Sequence, residues 1–205
     1  MLVKLSVIEF LGKTASSDPV PGGGSIAALS AALAAGLSEM VANLTLGKKD
    51  YALAEEEMKM ISKEASKYRN KLFQDIDKDS DAYQQVIEAF KLPKDTEEEK
   101  EQREQAIQMG LKQAALVPLG VAKDAFKIID LAKQVVMKGN KNAVTDGAVA
   151  AMMARTAVLS ALFNVKINLG SIKDSAFVDD VLKQIQHLEE EITEKEKEVL
   201  LEVNL

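Results

Sequence analysis

The sequence predicts an all-α protein, one domain over residues 1–205 built as a bundle of long antiparallel helices, and three observations carry that prediction. Apolar residues recur at three- and four-residue steps over long stretches, and no segment of useful length alternates with period two. Aromatic residues make up only 4% of the chain and Trp is absent, while Ala, Leu and Met are plentiful. That composition favours helices packed through small residues over sheets filled with aromatics. Finally, capping boxes and terminal glycines punctuate the chain at the spacing of long helices. A hydrophobic fraction of 47% over 205 residues is enough for one large core.

Each helix has its own start and stop signals. Ser6-Val7-Ile8-Glu9 has the form of a capping box before Phe10 and Leu11, and predicts a short helix ending near Gly12. A second helix begins within Gly22-Gly23-Gly24-Ser25, with Ser25 in its first turn. It runs to about Leu46, where Gly47 and two lysines suit a C-terminus. From Tyr51 to Leu92, residues such as Ile61, Ala65, Leu72, Ile76, Val86 and Phe90 keep helical spacing until Pro93. Thr96 and Glu99 form another capping box, opening a helix whose first half is charged and projects into solvent. This helix turns apolar from Ile107, is expected to kink at Pro118, and ends at Gly139. Asn142 opens a small-residue helix to about Val165. Asp174 or Ser175 then caps a last helix with a coiled-coil-like seam from Val178 to Val199.

The helices at 25–46 and 143–163 are apolar almost all round, which predicts burial on every side. One chain of this size encloses two such helices with difficulty. Together with the apolar seam, this predicts a homodimer.

Composition also excludes function classes. The net charge of −6 argues against a general nucleic-acid binder, which needs a surplus of Lys and Arg. Without cysteine there is no disulfide framework, thiolate metal site or Cys nucleophile, and a single His187 rules out a multi-histidine metal cluster. The N-terminus has no long apolar core followed by a small-residue cleavage site, and the run Ile26–Leu37 is too short to span a bilayer. The expectation is a soluble, cytoplasmic protein without membrane or nucleic-acid partners.

Polar residues stand where a bundle has little use for them. Asp75, Asp79 and Tyr83 share the helix side that carries Leu72, Ile76 and Val86, whereas Asp77 and Asp81 point elsewhere and read as a solvated acidic face. A buried Asp79 needs a partner or a raised pKa, which is what proton transfer uses. In GNKNAVTDG, residues 139–147, Asn140 and Asn142 suit a helix start, while Asp146 lies among inward-facing alanines. In NVKIN, Asn164 and Asn168 are one turn apart at the end of an apolar helix. The stretch PVPGGGS, residues 19–25, reads either as close helix packing at the glycines or as a backbone cradle for an anion at a helix N-terminus. These clusters are expected to converge on one site between helices.

The same stretches carry a resemblance. PVPGGGS, LTLGKK at 44–49, DSDAY at 79–83, KLPKDTEEEK at 91–100, GNKNAVTD at 139–146 and NVKINL at 164–169 together resemble the cyclodeaminase/cyclohydrolase family of folate enzymes, over nearly the whole chain. The resemblance implies an all-α dimer whose substrate is a tetrahydrofolate derivative, with no metal and no other cofactor. It implies conversion of 5-formiminotetrahydrofolate to 5,10-methenyltetrahydrofolate and ammonia, or hydrolysis of the methenyl compound to 10-formyltetrahydrofolate. Asp79 and Asp146 are then the expected catalytic carboxylates. Gly22, Gly23, Gly24, Ser25, Asn140, Asn164 and Asn168 are the expected folate-binding residues. Folate's anionic glutamate tail, often several residues long, would lie on the glycine-rich helix start, with Lys48, Arg155 and Lys166 as assisting cations.

Overall fold

A computed structural model describes residues 1–204 of the chain. Among them the chain forms six α-helices and no strand: α1 (Val7–Thr14), α2 (Gly23–Thr45), α3 (Glu55–Phe90), α4 (Glu97–Lys138), α5 (Val144–Leu169) and α6 (Ser175–Leu201). Short 3-10 turns lie at Leu2–Lys4, Lys49–Ala54 and Lys141–Ala143. The capping signals act as read. The Ser6 hydroxyl accepts the Glu9 N–H while Glu9 accepts the Ser6 N–H, Thr96 and Glu99 repeat that exchange, and Asp174 accepts from Phe177. Boundaries shift locally. α1 passes Gly12, Tyr51 lies in a 3-10 turn before α3, and Asn140 rather than Asn142 caps the turn that leads into α5.

α2 is the central helix, packed on α3, α4 and α5, and α6 crosses α4 and α5. α2 and α5 run antiparallel. Gly23 at the start of α2 lies against Asn164 near the end of α5, and Thr45 at the end of α2 bonds Asn140 just before α5. Small side chains allow this closeness: Ala27, Ala31 and Ala34 on α2 and Ala150, Ala154 and Ala157 on α5 are wholly buried. By length and composition Gly23–Thr45 and Lys141–Leu169 are both apolar enough to cross a membrane, which the shorter run 26–37 did not convey. In the fold they form the inside of the bundle.

One expectation is corrected. The α6 seam does not await a partner: Val181, Ile185, Leu188, Ile192 and Val199 are buried within the chain's own core, because α4 and α5 already offer α6 an apolar groove. Within one chain α2 and α5 are not covered all round, in keeping with the expected difficulty of enclosing both. Leu33, Met40 and Leu44 on α2, with Val149, Met152, Phe163 and Ile167 on α5, stay exposed. The charged first half of α4 is mostly exposed, with Arg103, Glu104 and Ala106 partly covered before the buried face begins at Ile107. Pro118, expected to kink α4, lies inside one continuous helix.

Candidate active site

The first N–H groups of any helix lack intrahelical acceptors. α2 begins at an N-cap glycine, Gly22, which offers no side chain to accept them. An acceptor arrives from α3 instead. The Asp79 carboxylate reaches the α2 start, where the Ser25 hydroxyl is 3.1 Å from Oδ2 and the Ser25 backbone N–H also favours the charged form. The Ser25 hydroxyl lies 2.9 Å from the Ile76 carbonyl as well, so its single proton is shared between two acceptors on α3. Space for the carboxylate exists because residue 24 is glycine. A Cβ there would sit 1.9 Å from Asp79 Oδ1.

Burial dominates the titration of Asp79. Desolvation pushes its carboxyl above the ordinary carboxylate value, and the Ser25 bonds pull it down without cancelling the rise. A carboxyl so shifted exchanges protons nearer to neutral pH than a surface aspartate does. It faces a cleft of about 370 Å³ whose floor is the Gly22–Gly24 backbone and whose far wall is α5, through Asn164, Ile167 and Asn168. Tyr83 and Val86, one and two turns beyond Asp79 on α3, line the same cleft with Ala114 of α4. A larger hollow of about 580 Å³ along Lys59–Asn70 lies open on the outer surface of α3 and gathers no such convergence of groups.

Pro118 explains how Asn168 is set. With no N–H, Pro118 cannot bond the Ala114 carbonyl one turn earlier, and leaving a buried acceptor unpaired costs about 1–3 kcal/mol. The Asn168 amide fills the vacancy, donating to Ala114 at 2.9 Å and to the Asn164 carbonyl at 2.8 Å. Asn164 in turn donates to Ser160 at 2.8 Å. Asn168 therefore spends both of its side-chain N–H bonds on backbone and Asn164 one of its two, which leaves one N–H and both amide oxygens for a ligand. A proline in one helix thus fixes an asparagine of another at the cleft.

The structure brings together Gly22, Gly23, Gly24, Asp79, Asn164 and Asn168. Ser25 is wholly buried and faces Asp79 rather than the cleft, so it positions the carboxylate instead of touching a ligand. Asn140 and Asp146 are not at this site within the chain. The 18 residues from Asp146 to Asn164 span about 27 Å of helix, five full turns. Asn140 is a joint residue: its N–H bonds Thr45 Oγ1 at 2.9 Å, its amide donates to the Leu44 carbonyl and its Oδ1 accepts the Asn142 N–H. Asp146, half-buried in the first turn of α5, has no hydrogen-bond or ion-pair partner among the described residues.

The other charged residues also find their places. Asp75 is buried between Lys71 and Lys78, and Asp77 accepts the Leu2 N–H, so Asp77 is not part of a solvated face. Lys166 is tied to Glu189 and Arg155 to Glu196, while Lys48 lies at the far end of α2, so none of these cations serves the cleft within the chain. Tyr83, Val86, Ala114 and Ile167 line the cleft without having been assigned to it by sequence reasoning. The signal for Tyr83 was its position one turn after Asp79.

Comparison with known proteins gives this cleft a context. Residues 6–187 match the family model described as formiminotransferase-cyclodeaminase. The chain belongs to that family. It is 41% identical over 183 residues to a methenyltetrahydrofolate cyclohydrolase of Methylorubrum extorquens, covering 89% of this chain and 88% of that protein. It is 35% identical over 182 residues to the formimidoyltransferase-cyclodeaminase of Sus scrofa, covering 89% of this chain but only 34% of that longer protein. The crystal structure of a formiminotetrahydrofolate cyclodeaminase from Thermotoga maritima superposes with a TM-score of 0.88 at 32% identity, over 99% of this chain and 98% of that one.

Proposed function

We propose that this chain is a folate one-carbon enzyme that converts 5-formiminotetrahydrofolate to 5,10-methenyltetrahydrofolate and ammonia at the Asp79 cleft. The names of its relatives support the substrate class. The single observation that carries the chemistry is a desolvated carboxyl, raised in pKa, held at the mouth of a glycine-floored cleft. In the reaction N10 attacks the formimino carbon and closes the five-membered ring. One proton passes from N10 to the formimino nitrogen, a second comes from solvent, and the carbon–nitrogen bond breaks to release ammonia and the cationic methenyl product. Asp79 is placed to relay both protons, which typically contributes about 10²–10⁴ in rate. Asn164 and Asn168 present acceptors to the N–H groups of the pterin ring.

A second reading rests on the 41% identity to a methenyltetrahydrofolate cyclohydrolase. Water would add to the same methenyl carbon, the N5–carbon bond would break, and a proton would leave with formation of 10-formyltetrahydrofolate. The same carboxyl serves both. The purified chain is given each folate while methenyl absorbance is followed. A rise with the formimino substrate is expected, a fall with the methenyl substrate alone selects the second reading, and no change with either rejects both. The proposal includes a cytoplasmic homodimer that needs no metal or organic cofactor. The exposed apolar side of α2 and α5 supports the dimer.

A further inference from the structure

The Ser25 hydroxyl stands among three oxygens of α3. The Ile76 carbonyl lies 2.9 Å away, Asp79 Oδ2 3.1 Å and the Ser80 hydroxyl 3.3 Å. A serine hydroxyl donates one proton and accepts in return, so Ser25 has two complete bonding patterns. With Asp79 ionised, Ser25 donates to Oδ2 and accepts from Ser80. With Asp79 protonated, the carboxyl donates to Ser25, whose own proton turns to the Ile76 carbonyl. Ser25 is wholly buried, whereas Ser80 is partly exposed and is not among the residues lining the cleft. The three side chains thus run from the cleft, through the interior, to a hydroxyl that meets solvent outside the cleft. The proposed reaction draws one proton from solvent in each turnover while folate occupies the cleft. No ammonium, imidazole or second carboxyl lines the cleft to supply it.

We infer that Ser80 and Ser25 form a proton path to Asp79 that stays open while the substrate fills the cleft. After Asp79 has given its proton to the leaving nitrogen, Ser80 passes its hydroxyl proton to Ser25 Oγ as Ser25 passes its own to Asp79 Oδ2. Water at Ser80 restores the proton there. Each serine oxygen loses one O–H bond and gains another, so no alkoxide persists, and the sum is one solvent proton delivered to the carboxylate. Run backward, the path removes the proton that hydrolysis of the methenyl compound releases. The Ser25–Ser80 step is longer than the roughly 2.7–2.8 Å usual between hydroxyls, and catalytic hydrogen bonds often tighten only in the substrate complex. Burial and the Ser25 bonds set the titration of Asp79. Ser25 therefore acts on both the carboxyl's titration and the path, and Ser80 on the path alone.

This inference rests on the proposed folate reaction, and the test separates the two. The purified chain is assayed with the formimino and methenyl folates beside Asp79→Asn, Ser25→Ala and three Ser80 variants. Ser80→Thr and Ser80→Val share one shape and differ by the hydroxyl, while Ser80→Ala places a strong helix former at a partly exposed helical position. In Ser80→Ala and Ser80→Val kcat should fall by about 10-fold or more, a part of what proton transfer contributes, with KM unchanged. Ser80→Thr should keep the wild-type kcat. The pH profile separates the two serines. Ser25→Ala loses a bond that favours the ionised carboxyl, so its apparent pKa should rise, whereas Ser80→Ala should leave the profile in place. Equal losses in Ser80→Thr and Ser80→Val, a kcat within about twofold of wild type in Ser80→Ala, or a loss expressed in KM overturns the proton path. So does a Ser80→Ala profile shifted as far as that of Ser25→Ala. If Ser80→Val loses its helical circular-dichroism signal, Ser80→Ala against Ser80→Thr decides by the same criteria. With Asp79→Asn inactive, these outcomes overturn the path alone. A wild-type chain that turns over neither folate, or a fully active Asp79→Asn, overturns the functional reading and the path together.

Discussion

At one end of the α2–α5 pair Gly23 meets Asn164, and at the other Thr45 meets Asn140; the two junctions use the same kinds of residue to different effect. At the Thr45 end an asparagine is turned inward: its backbone N–H, side-chain amide and Oδ1 each have a protein partner, and it is 5% exposed. At the Gly23 end the asparagines spend only their N–H groups, and Asp79 is desolvated with Ser25 as its only fixed support. A buried amide paired through both its nitrogen and its oxygen holds helices together, whereas one whose oxygen is left open beside an under-solvated carboxyl is equipped to meet a ligand.

The largest effect expected from disturbing this contrast is at Asp79. Asp79→Asn keeps the shape but removes the titrating group, so turnover should fall by about 10²–10⁴ with the circular-dichroism spectrum unchanged. A variant that turns over at the wild-type rate would reduce the Gly23 end to another structural junction. Next comes Gly24→Ala. Its Cβ would lie 1.9 Å from Asp79 Oδ1, and because the obstructed atom ends a movable side chain, the fold survives while the carboxylate is displaced. A displacement on the order of 1 Å costs up to about 10²-fold in rate. Gly23→Ala, whose Cβ meets Asn164 at 3.0 Å, should act more weakly and chiefly on KM.

Pro118→Ala sharpens the comparison in a different way. It returns an N–H to the Ala114 carbonyl and releases Asn168 from its post, so the helix should melt no lower while KM for the folate rises several-fold. An unchanged KM would show that Asn168 is not held by that vacancy. Asn140→Ala tests the opposite end. It removes the amide's bond to the part-buried Leu44 carbonyl, at a cost of about 0.5–1.5 kcal/mol, and should lower the melting temperature by a few degrees.

The smallest effect is a pH-dependent one on stability. The folded-state pKa of Asp79 lies above its unfolded value, so its protonated form is the one that folding favours. Below the ordinary carboxylate value both states are protonated and the group costs nothing. As pH rises from there through the raised folded value, the unfolded chain ionises first and stability is lost. Asp79→Asn should therefore melt higher than wild type at pH 7, and the gap should close as pH falls toward 4. A gap that is constant across that range would mean the carboxyl is solvated rather than buried.

The sequence by itself determined the helical architecture, because helix starts are local events: Ser6 with Glu9, Thr96 with Glu99 and Asp174 each cap with residues three positions on. It also determined which residue types were out of place, since an aspartate on an apolar stripe or two asparagines closing an apolar helix are visible in helical phase alone. The family resemblance was legible for the same reason, being carried by short contiguous stretches. Only the tertiary structure decided which stretches meet. Helical phase tells the side a residue faces but not the neighbour waiting there, so the α6 seam read as a surface for a partner until α4 and α5 were seen to fill it. The distance of about 27 Å, five turns, between Asp146 and Asn164 was by contrast legible in the sequence, since it follows from the rise of the one helix predicted to carry both, and it rules out their meeting within the chain. And no local rule links Pro118 to Asn168 or Gly24 to Asp79. Those pairings exist because one chain segment lacks an atom and another, distant in sequence, occupies the place it leaves.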